Sequence, residues 1–222
     1  MSVSVLIPAY NEADRIAATV VAAQGLRGVG EVLVVDDGST DATSSVAAAA
    51  GARVVRQSRN GGKAAALMAG FSQARGESLL LLDGDLGVSA AEADVLIAPV
   101  LTGAADMTIA TFPVVPGRGG GMGIVVRFSR WGILRATGRM MQAPLSGQRC
   151  LRREVFAAAM PLAAGFGVET ALTIDALRAG FRLLEVPTSM DHRVTQNDLR
   201  ARLHRARQLR DVAKALFFRR RG

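Results

Sequence analysis

Two runs of consecutive apolar residues end abruptly in aspartate. Val32-Leu33-Val34-Val35 is followed by Asp36-Asp37, and Leu79-Leu80-Leu81-Leu82 by Asp83-Gly84-Asp85. Unbroken apolar runs of this length describe strands covered on both faces, as in a parallel sheet packed between helices. In an open sheet of that kind, ligands bind outside the carboxyl ends of the strands. Both acidic clusters should therefore open into one cleft. Carboxylates crowded there repel each other unless a positive charge lies between them. A divalent metal together with a nucleotide meets that need.

The rest of the chain supports an α/β fold. Strands are expected at Val3–Ile7, Val32–Val35, Arg53–Arg56, Ser78–Leu82, Met107–Ala110 and Arg182–Val186. Helices are expected at Glu12–Gln24, Asp41–Ala50, from Asn60-Gly61-Gly62 through Ala74, and at Ala90–Leu101, Ile124–Gly138, Arg153–Ala159 and Val168–Ala179. Strands alternating with helices of this length give βαβ units and a mostly parallel sheet flanked by helices. Phe112 to Gly123, rich in glycine and proline, reads as a loop on the substrate side or as a linker. Gln142–Arg149 reads as a second loop.

With 222 residues, half of them hydrophobic, the chain can build one full core. The single cysteine, Cys150, excludes an internal disulfide and suits a reducing, cytoplasmic compartment; it reads as a small buried residue rather than a nucleophile. The first residues lack the basic region and long apolar run of a signal peptide. No stretch is long and apolar enough to span a bilayer. The net charge of +8 lies entirely in residues 193–222, while residues 1–192 are neutral overall. The chain therefore divides into a body, 1–192, and a basic helical tail.

Each motif has a chemical reading and a plainer one. In Asp36-Asp37-Gly38-Ser39-Thr40-Asp41, Gly38 permits the tight turn and Asp41 or Thr40 can cap the next helix. An aspartate there can accept an N–H from a base ring, or the segment is a solvated turn. Asp83-Gly84-Asp85 offers hard oxygen ligands that suit Mg²⁺ or Mn²⁺ beside a diphosphate. Asn60-Gly61-Gly62-Lys63 puts backbone N–H groups and an ammonium at a helix start, which favours an anion; the alternative is an ordinary glycine turn. Ser146-Gly147-Gln148-Arg149 can present N–H groups and a guanidinium to an anionic acceptor, or is a turn with a solvated arginine.

Taken in order, Ile7-Pro8-Ala9-Tyr10-Asn11-Glu12, Val35 to Asp41, Asn60 to Lys63 and Asp83-Gly84-Asp85 resemble glycosyltransferase family two, whose fold is GT-A. The resemblance covers residues 3–110 and implies a catalytic domain over 1–192, with a nucleotide-sugar half (1–111) and an acceptor half (112–192). It implies that Pro8, Ala9, Tyr10, Glu12, Asp37, Gly38, Lys63, Asp83 and Gly84 hold the nucleotide sugar. Asp83 and Asp85 would hold the metal. Gly84 stands where alanine is commoner. Gly165-Phe166-Gly167-Val168-Glu169 is similar to a segment of polyprenyl-phosphate sugar transferases and glucosyl-3-phosphoglycerate synthases. That likeness implies Glu169 beside the sugar, with Asp85 as the catalytic pair, and His192 as a third metal ligand. Without it, Glu169 is a helix-start acid and His192 a structural histidine.

The expected activity is hexosyl transfer from a nucleotide diphosphate sugar, such as UDP-glucose, to a phosphate-bearing acceptor. A polyprenyl phosphate at the cytoplasmic face of the membrane leads, and a small phosphorylated acid such as 3-phosphoglycerate follows. An ionised acceptor needs little help from a general base. In the tail, 198–222, Leu199, Leu203, Ala206, Leu209, Ala213, Leu216 and Phe217 share a helical face among arginines. That pattern suits peripheral membrane contact or packing on the body. Nucleic acid is not an expected partner, since the tail has no aromatics interleaved for base stacking; a homodimer is compatible with all of this. A dinucleotide oxidoreductase would need G-x-G-x-x-G after the first strand. A Mg²⁺-dependent phosphohydrolase built on Asp83 and Asp85, or a non-catalytic membrane binder, are the alternatives from other classes.

Overall fold

The computed structural model describes residues 2–112, 123–190 and 199–218. The described strands are β1 (Val3–Ala9), β2 (Val29–Asp36), β3 (Arg53–Arg56), β4 (Ser78–Leu81), β5 (Met107–Thr111), β6 (Arg149–Arg152) and β7 (Leu183–Pro187). They form one seven-stranded sheet in the order β3-β2-β1-β4-β6-β5-β7. Neighbours pair in parallel except around β6, which runs antiparallel to both β4 and β5. The mostly parallel α/β sheet expected from the apolar runs is present.

The unbroken character of those runs follows from the two layers that cover the sheet. Successive side chains of a strand point to opposite faces. Leu6 of β1 and Leu79 and Leu81 of β4 join Leu67, Phe156 and Leu172 in one core. Val5, Ile7 and Leu80 join Ile16, Val20 and Leu96 in the other. The helices that cover the faces are α1 (Ile16–Gln24), α2 (Thr43–Ala49), α3 (Lys63–Gln73), α4 (Asp94–Leu101), α5 (Gly123–Thr137), α6 (Arg153–Ala158) and α7 (Val168–Arg178). Each fully buried aliphatic side chain contributes roughly 1.5–3 kcal/mol. A polar residue in the middle of β1 or β4 would therefore be costly on either face.

Three expectations change. Part of the expected loop 142–149, together with the residues after it, becomes β6, a central strand. Its sequence, Arg-Cys-Leu-Arg, carries a charge at each end and hides the pattern of a buried strand. Before α4, residues Gly87–Ala93 wind as a tighter 3-10 helix, so α4 starts later than expected.

The third change concerns the tail, which forms α8 (Leu199–Phe218). In the stretch whose side chains are described, Val212, Ala215 and Leu216 are buried. Leu216 fills the space beside Gly132 of α5, where a Cβ would lie 2.3 Å from it. Leu209 and Phe217 stay exposed. Of the apolar face expected from the sequence, Leu216 packs on the body, while Leu209 and Phe217 do not. The expected metal ligand His192 lies outside the described residues. Among the described residues, no helix is long and apolar enough to cross a membrane.

Candidate active site

The carboxyl ends of β1, β2 and β4 deliver three loops to one edge of the sheet. The first two are stitched together. Asn11 adopts a left-handed backbone (φ 56°) and donates its N–H to Ser39 Oγ at 3.0 Å. Its side-chain Oδ1 accepts the N–H of Thr40 at 2.9 Å. Glu12 N donates to Thr43 Oγ1 at 2.8 Å, and Asp37 N to the Ala9 carbonyl at 2.9 Å. Pro8, Ala9, Tyr10, Glu12, Asp37 and Gly38 thus lie in one framework, with the Tyr10 ring half-exposed beside it.

The two aspartates at the end of β2 do different work. Asp36 points into the protein, accepting Ser39 N at 2.7 Å and the Ser44 hydroxyl, with Arg56 at 3.7 Å. Burial pushes its carboxyl up, but the hydrogen bonds from Ser39 and Ser44 and the Arg56 charge outweigh that and hold it below the ordinary range. Asp37 accepts the N–H groups of Gly61 and Gly62 at 2.8 and 2.7 Å. The N–H groups expected to cradle a ligand anion are therefore bound to the protein's own carboxylate. Gly38, at φ +76°, sits where a Cβ would lie 2.7 Å from the Arg59 backbone. Only glycine suits both the conformation and the gap.

Asp83 stands at the centre of the edge. Lys63 Nζ, at the start of α3, lies 2.6 Å from its Oδ1, and Gln148 Nε2 donates to its Oδ2 at 2.6 Å. The same ammonium lies 3.0 Å from Glu169 Oε1 in the first turn of α7. Lys63 is thus a cation held between two carboxylates from opposite ends of the site. Burial lowers its pKa, but the charges of Asp83 and Glu169 outweigh burial and raise it above the usual lysine value.

Asp85 is partly exposed, and among the described residues no hydrogen bond or ion pair reaches its carboxylate. The loop that carries it is pinned from behind. Thr19 Oγ1 donates to the Gly84 carbonyl at 2.9 Å and accepts Gly87 N at 2.8 Å, while Arg15 Nη1 holds the Asp85 carbonyl at 3.1 Å. A Cβ at Gly84 would find Ala9, Glu12 and Pro8 at 3.4–3.5 Å, which is ordinary contact. There is room for the commoner alanine.

The segment 146–149 does not face outward as expected. Because β6 is antiparallel, the loop entering it arrives beside the loop leaving β4. Gly147 lies against Lys63 and Asp83, with room for no side chain: a Cβ would be 2.4 Å from Lys63 Nζ. Ser146 and Gln148 are buried. Arg149 is fully buried and turned inward, donating to the Ser146 carbonyl at 2.8 Å, Thr173 Oγ1 at 2.9 Å and the Pro144 carbonyl at 3.4 Å. Burial lowers its pKa to about 10, against the charges of Glu169 and Glu185. The guanidinium of Arg149 is thus a buried cation near Glu169, not a solvated one. Cys150 is buried, its thiol pushed up to about 12 by burial, as expected of an inert residue.

Several supporting residues were not anticipated. Glu185 in β7 accepts Gln142 N and Ala143 N at 2.9 and 2.7 Å, fixing the loop before β6. A carboxylate inside an otherwise apolar strand is the signal that marks it. Thr19 is the polar residue on the buried face of α1, with Ile16, Val20 and Ala23. Both are visible only once the strand and helix faces are assigned.

The donor set suits a hard divalent cation. Asp83 and Asp85 end one strand, and one or two carboxylates plus substrate phosphates is the usual Mg²⁺ arrangement. Among the described residues, no three His, Cys, Asp or Glu side chains are grouped to hold a metal.

The glycosyl transferase family 2 model matches residues 4–155. The glycosyltransferase AglJ of Haloferax volcanii is 34% identical over 192 residues, 85% of this chain and 62% of that protein. The undecaprenyl-phosphate 4-deoxy-4-formamido-L-arabinose transferase of Sodalis glossinidius is 40% identical over 94 residues, 38% of this chain and 29% of that one. The chain thus spans less than two thirds of these curated relatives. A crystal structure of glucosyl-3-phosphoglycerate synthase from Mycobacterium tuberculosis, with Mn²⁺, UDP-glucose and phosphoglyceric acid, superposes with a TM-score of 0.79 at 27% identity. It covers 98% of this chain and 79% of its own. The same synthase with Mg²⁺ and UDP superposes at 0.81 and 29% identity, with the same coverage. The sheet described above is thus the GT-A architecture. With most of its length matched by the family model, this chain belongs to glycosyl transferase family 2.

Proposed function

We propose that this chain transfers a hexose from a UDP-sugar to a phosphate-bearing acceptor, with Mg²⁺ or Mn²⁺ bound. The observation that carries this is the meeting of Asp83, Lys63, Gln148 and Glu169 at the carboxyl edge of a family 2 sheet. Solved relatives holding UDP-glucose, UDP, Mg²⁺ and Mn²⁺ support the donor and the cation. Residues 1–111 would form the donor half of a catalytic domain and 112–192 the acceptor half, with 193–222 the basic tail.

Pro8, Ala9, Tyr10, Glu12, Asp37 and Gly38 would enclose the nucleotide. Gly84 would let the diphosphate approach the backbone. Asp83 and Asp85 would hold the cation, with His192 as a third ligand. Bound by these residues, a divalent cation would supply positive charge against the departing diphosphate. Lys63, freed from Asp83, would turn its ammonium to the same phosphates. Glu169 would accept hydrogen bonds from sugar hydroxyls and, with Asp85, position the donor sugar beside the acceptor. The loop Ser146, Gly147 and Gln148 would border the acceptor, and Arg149 would add positive potential from beneath.

For the acceptor, a lipid phosphate is the first reading, supported by the excess positive charge of residues 193–222 and by the undecaprenyl-phosphate relative. A small phosphorylated acid is the second, supported by the phosphoglyceric acid complex of the solved relative. The reading places the enzyme in the cytoplasm or peripherally on the cytoplasmic face of the membrane. A thermal-shift screen of nucleotide sugars with and without Mn²⁺ tests the donor. Ligands that bind the native state raise its Tm by mass action. A Mn²⁺-dependent rise with one UDP-sugar supports the reading, and no rise with any nucleotide sugar overturns it.

A further inference from the structure

Residues 107–153 contain eight arginines and no aspartate or glutamate. The helix α5 lies inside this stretch. Its inner face is buried at Val125, Ser129, Gly132 and Ile133. Its outer face carries Ile124, Arg127, Trp131, Leu134 and Arg135, which helical spacing brings together, while Phe128 at its margin packs against the core. Ile124 is 72% exposed, Trp131 47% and Leu134 38%. On α8, Phe217 is 56% exposed and follows the Leu216 that packs on Gly132. The acid on this stretch of α8, Asp211, is turned inward onto Gly165.

We propose that the outer face of α5 is a docking surface for an anionic lipid membrane. Basic residues flanking a tryptophan and branched aliphatics are the composition of a helix that lies in the headgroup region. The charge selects the occupant. A second copy seated on this face through a two-fold axis would set Arg127 and Arg135 against their own counterparts. An anionic leaflet attracts them instead.

The placement deepens the lipid-phosphate reading above and rests on it for its purpose. Ser129, on the inner face, hydrogen-bonds Thr170 at 2.6 Å between hydroxyls, one residue from Glu169. One helix, about 10–12 Å across, therefore separates the proposed membrane surface from the turn that carries Glu169. An acceptor phosphate at the leaflet surface would be within a helix width of the site.

The test uses the fact that Trp131 is the chain's single tryptophan. The full chain is mixed with vesicles of phosphatidylcholine alone or with phosphatidylglycerol. Trp131 emission, quenching by brominated lipid and co-sedimentation are read together. The expected result is a blue shift, quenching and binding on phosphatidylglycerol vesicles, weakened by salt. R127E/R135E should bind at least tenfold less and R127Q/R135Q less than wild type, with unchanged Tm. Equal binding to neutral vesicles overturns the proposal. So does binding with unchanged Trp131 emission, which would assign docking to the tail. A lipid-free, concentration-dependent blue shift with dimer formation would assign the face to a second copy. UDP calorimetry with Mn²⁺ separates the two readings. UDP binding without vesicle binding sinks only the docking surface; vesicle binding without UDP binding sinks only the transferase.

Discussion

The side-chain amide of Gln148 donates to Oδ2 of Asp83 at 2.6 Å, while Lys63 holds the other oxygen at the same distance. The carboxylate is thus oriented from both sides before any ligand arrives. Gln148→Leu removes one restraint on the acid that the proposed function sets against the cation. A hydrogen bond to a charged group contributes about 1.5–3 kcal/mol. Mn²⁺-dependent UDP affinity should therefore fall roughly ten- to hundred-fold. Isothermal calorimetry checks this; an unchanged affinity would leave the amide a packing role only.

Lys63→Met leaves Asp83 and Glu169 facing the same gap without the cation between them. Two carboxylates sharing a site repel unless one is protonated. The variant should lose about 1–3 kcal/mol of stability at neutral pH, and Mn²⁺ should raise its Tm more than that of the wild type. Differential scanning calorimetry with and without Mn²⁺ reads both effects.

Asp85→Ala separates site from scaffold. The carboxylate has no partner among the described residues, so its loss should change Tm by less than about 2 °C. Mn²⁺-dependent UDP binding should fall below detection. A large fall in Tm would move Asp85 into the scaffold.

Two glycines of the site should respond oppositely to one methyl. Gly84→Ala meets only ordinary contacts and should keep wild-type stability and UDP affinity. Gly147→Ala drives a methyl against Lys63 Nζ and should displace the ammonium from Asp83. Comparing Tm and UDP titrations of the two variants checks the contrast.

Asp106 anchors the start of β5, accepting Arg182 N at 2.8 Å and pairing with the guanidinia of Arg182 and Arg152. The hydrogen bond from Arg182 lowers its carboxyl pKa, and so do the charges around it. Its folded pKa lies below the unfolded value. Its contribution is therefore complete above about pH 4 and is lost as pH falls through the folded pKa. Asp106→Asn should be less stable at pH 7, and the gap to wild type should narrow toward pH 2. Urea titrations across that range test the sign.

Much of the N-terminal half was legible because buried strands and acidic loop ends leave strong local marks. Val32–Val35 and Leu79–Leu82 read as covered strands, which sets their aspartates at the carboxyl edge. The C-terminal half was less legible because its pattern is set by distant partners. Arg149 looks solvated until Thr173 and the Ser146 and Pro144 carbonyls surround it. The β6 strand has an arginine at each end, and only its neighbours β4 and β5 make it a strand. Gly61 and Gly62 read as an anion cradle, which they are, but the anion is Asp37. Nothing in a linear reading says that a loop will be satisfied internally.

The reversed direction of β6 has a consequence for how this scaffold can be altered. Around most of the sheet, the residues that reach the edge come after a strand, so changing them alters what feeds the next helix. Gly147 and Gln148 come before theirs. Changes on the approach to β6 act on Asp83 through Gly147 and Gln148 while leaving the exits of β1, β2 and β4 untouched. One side of the pocket can be redrawn by loop grafting, with the other held as a constant.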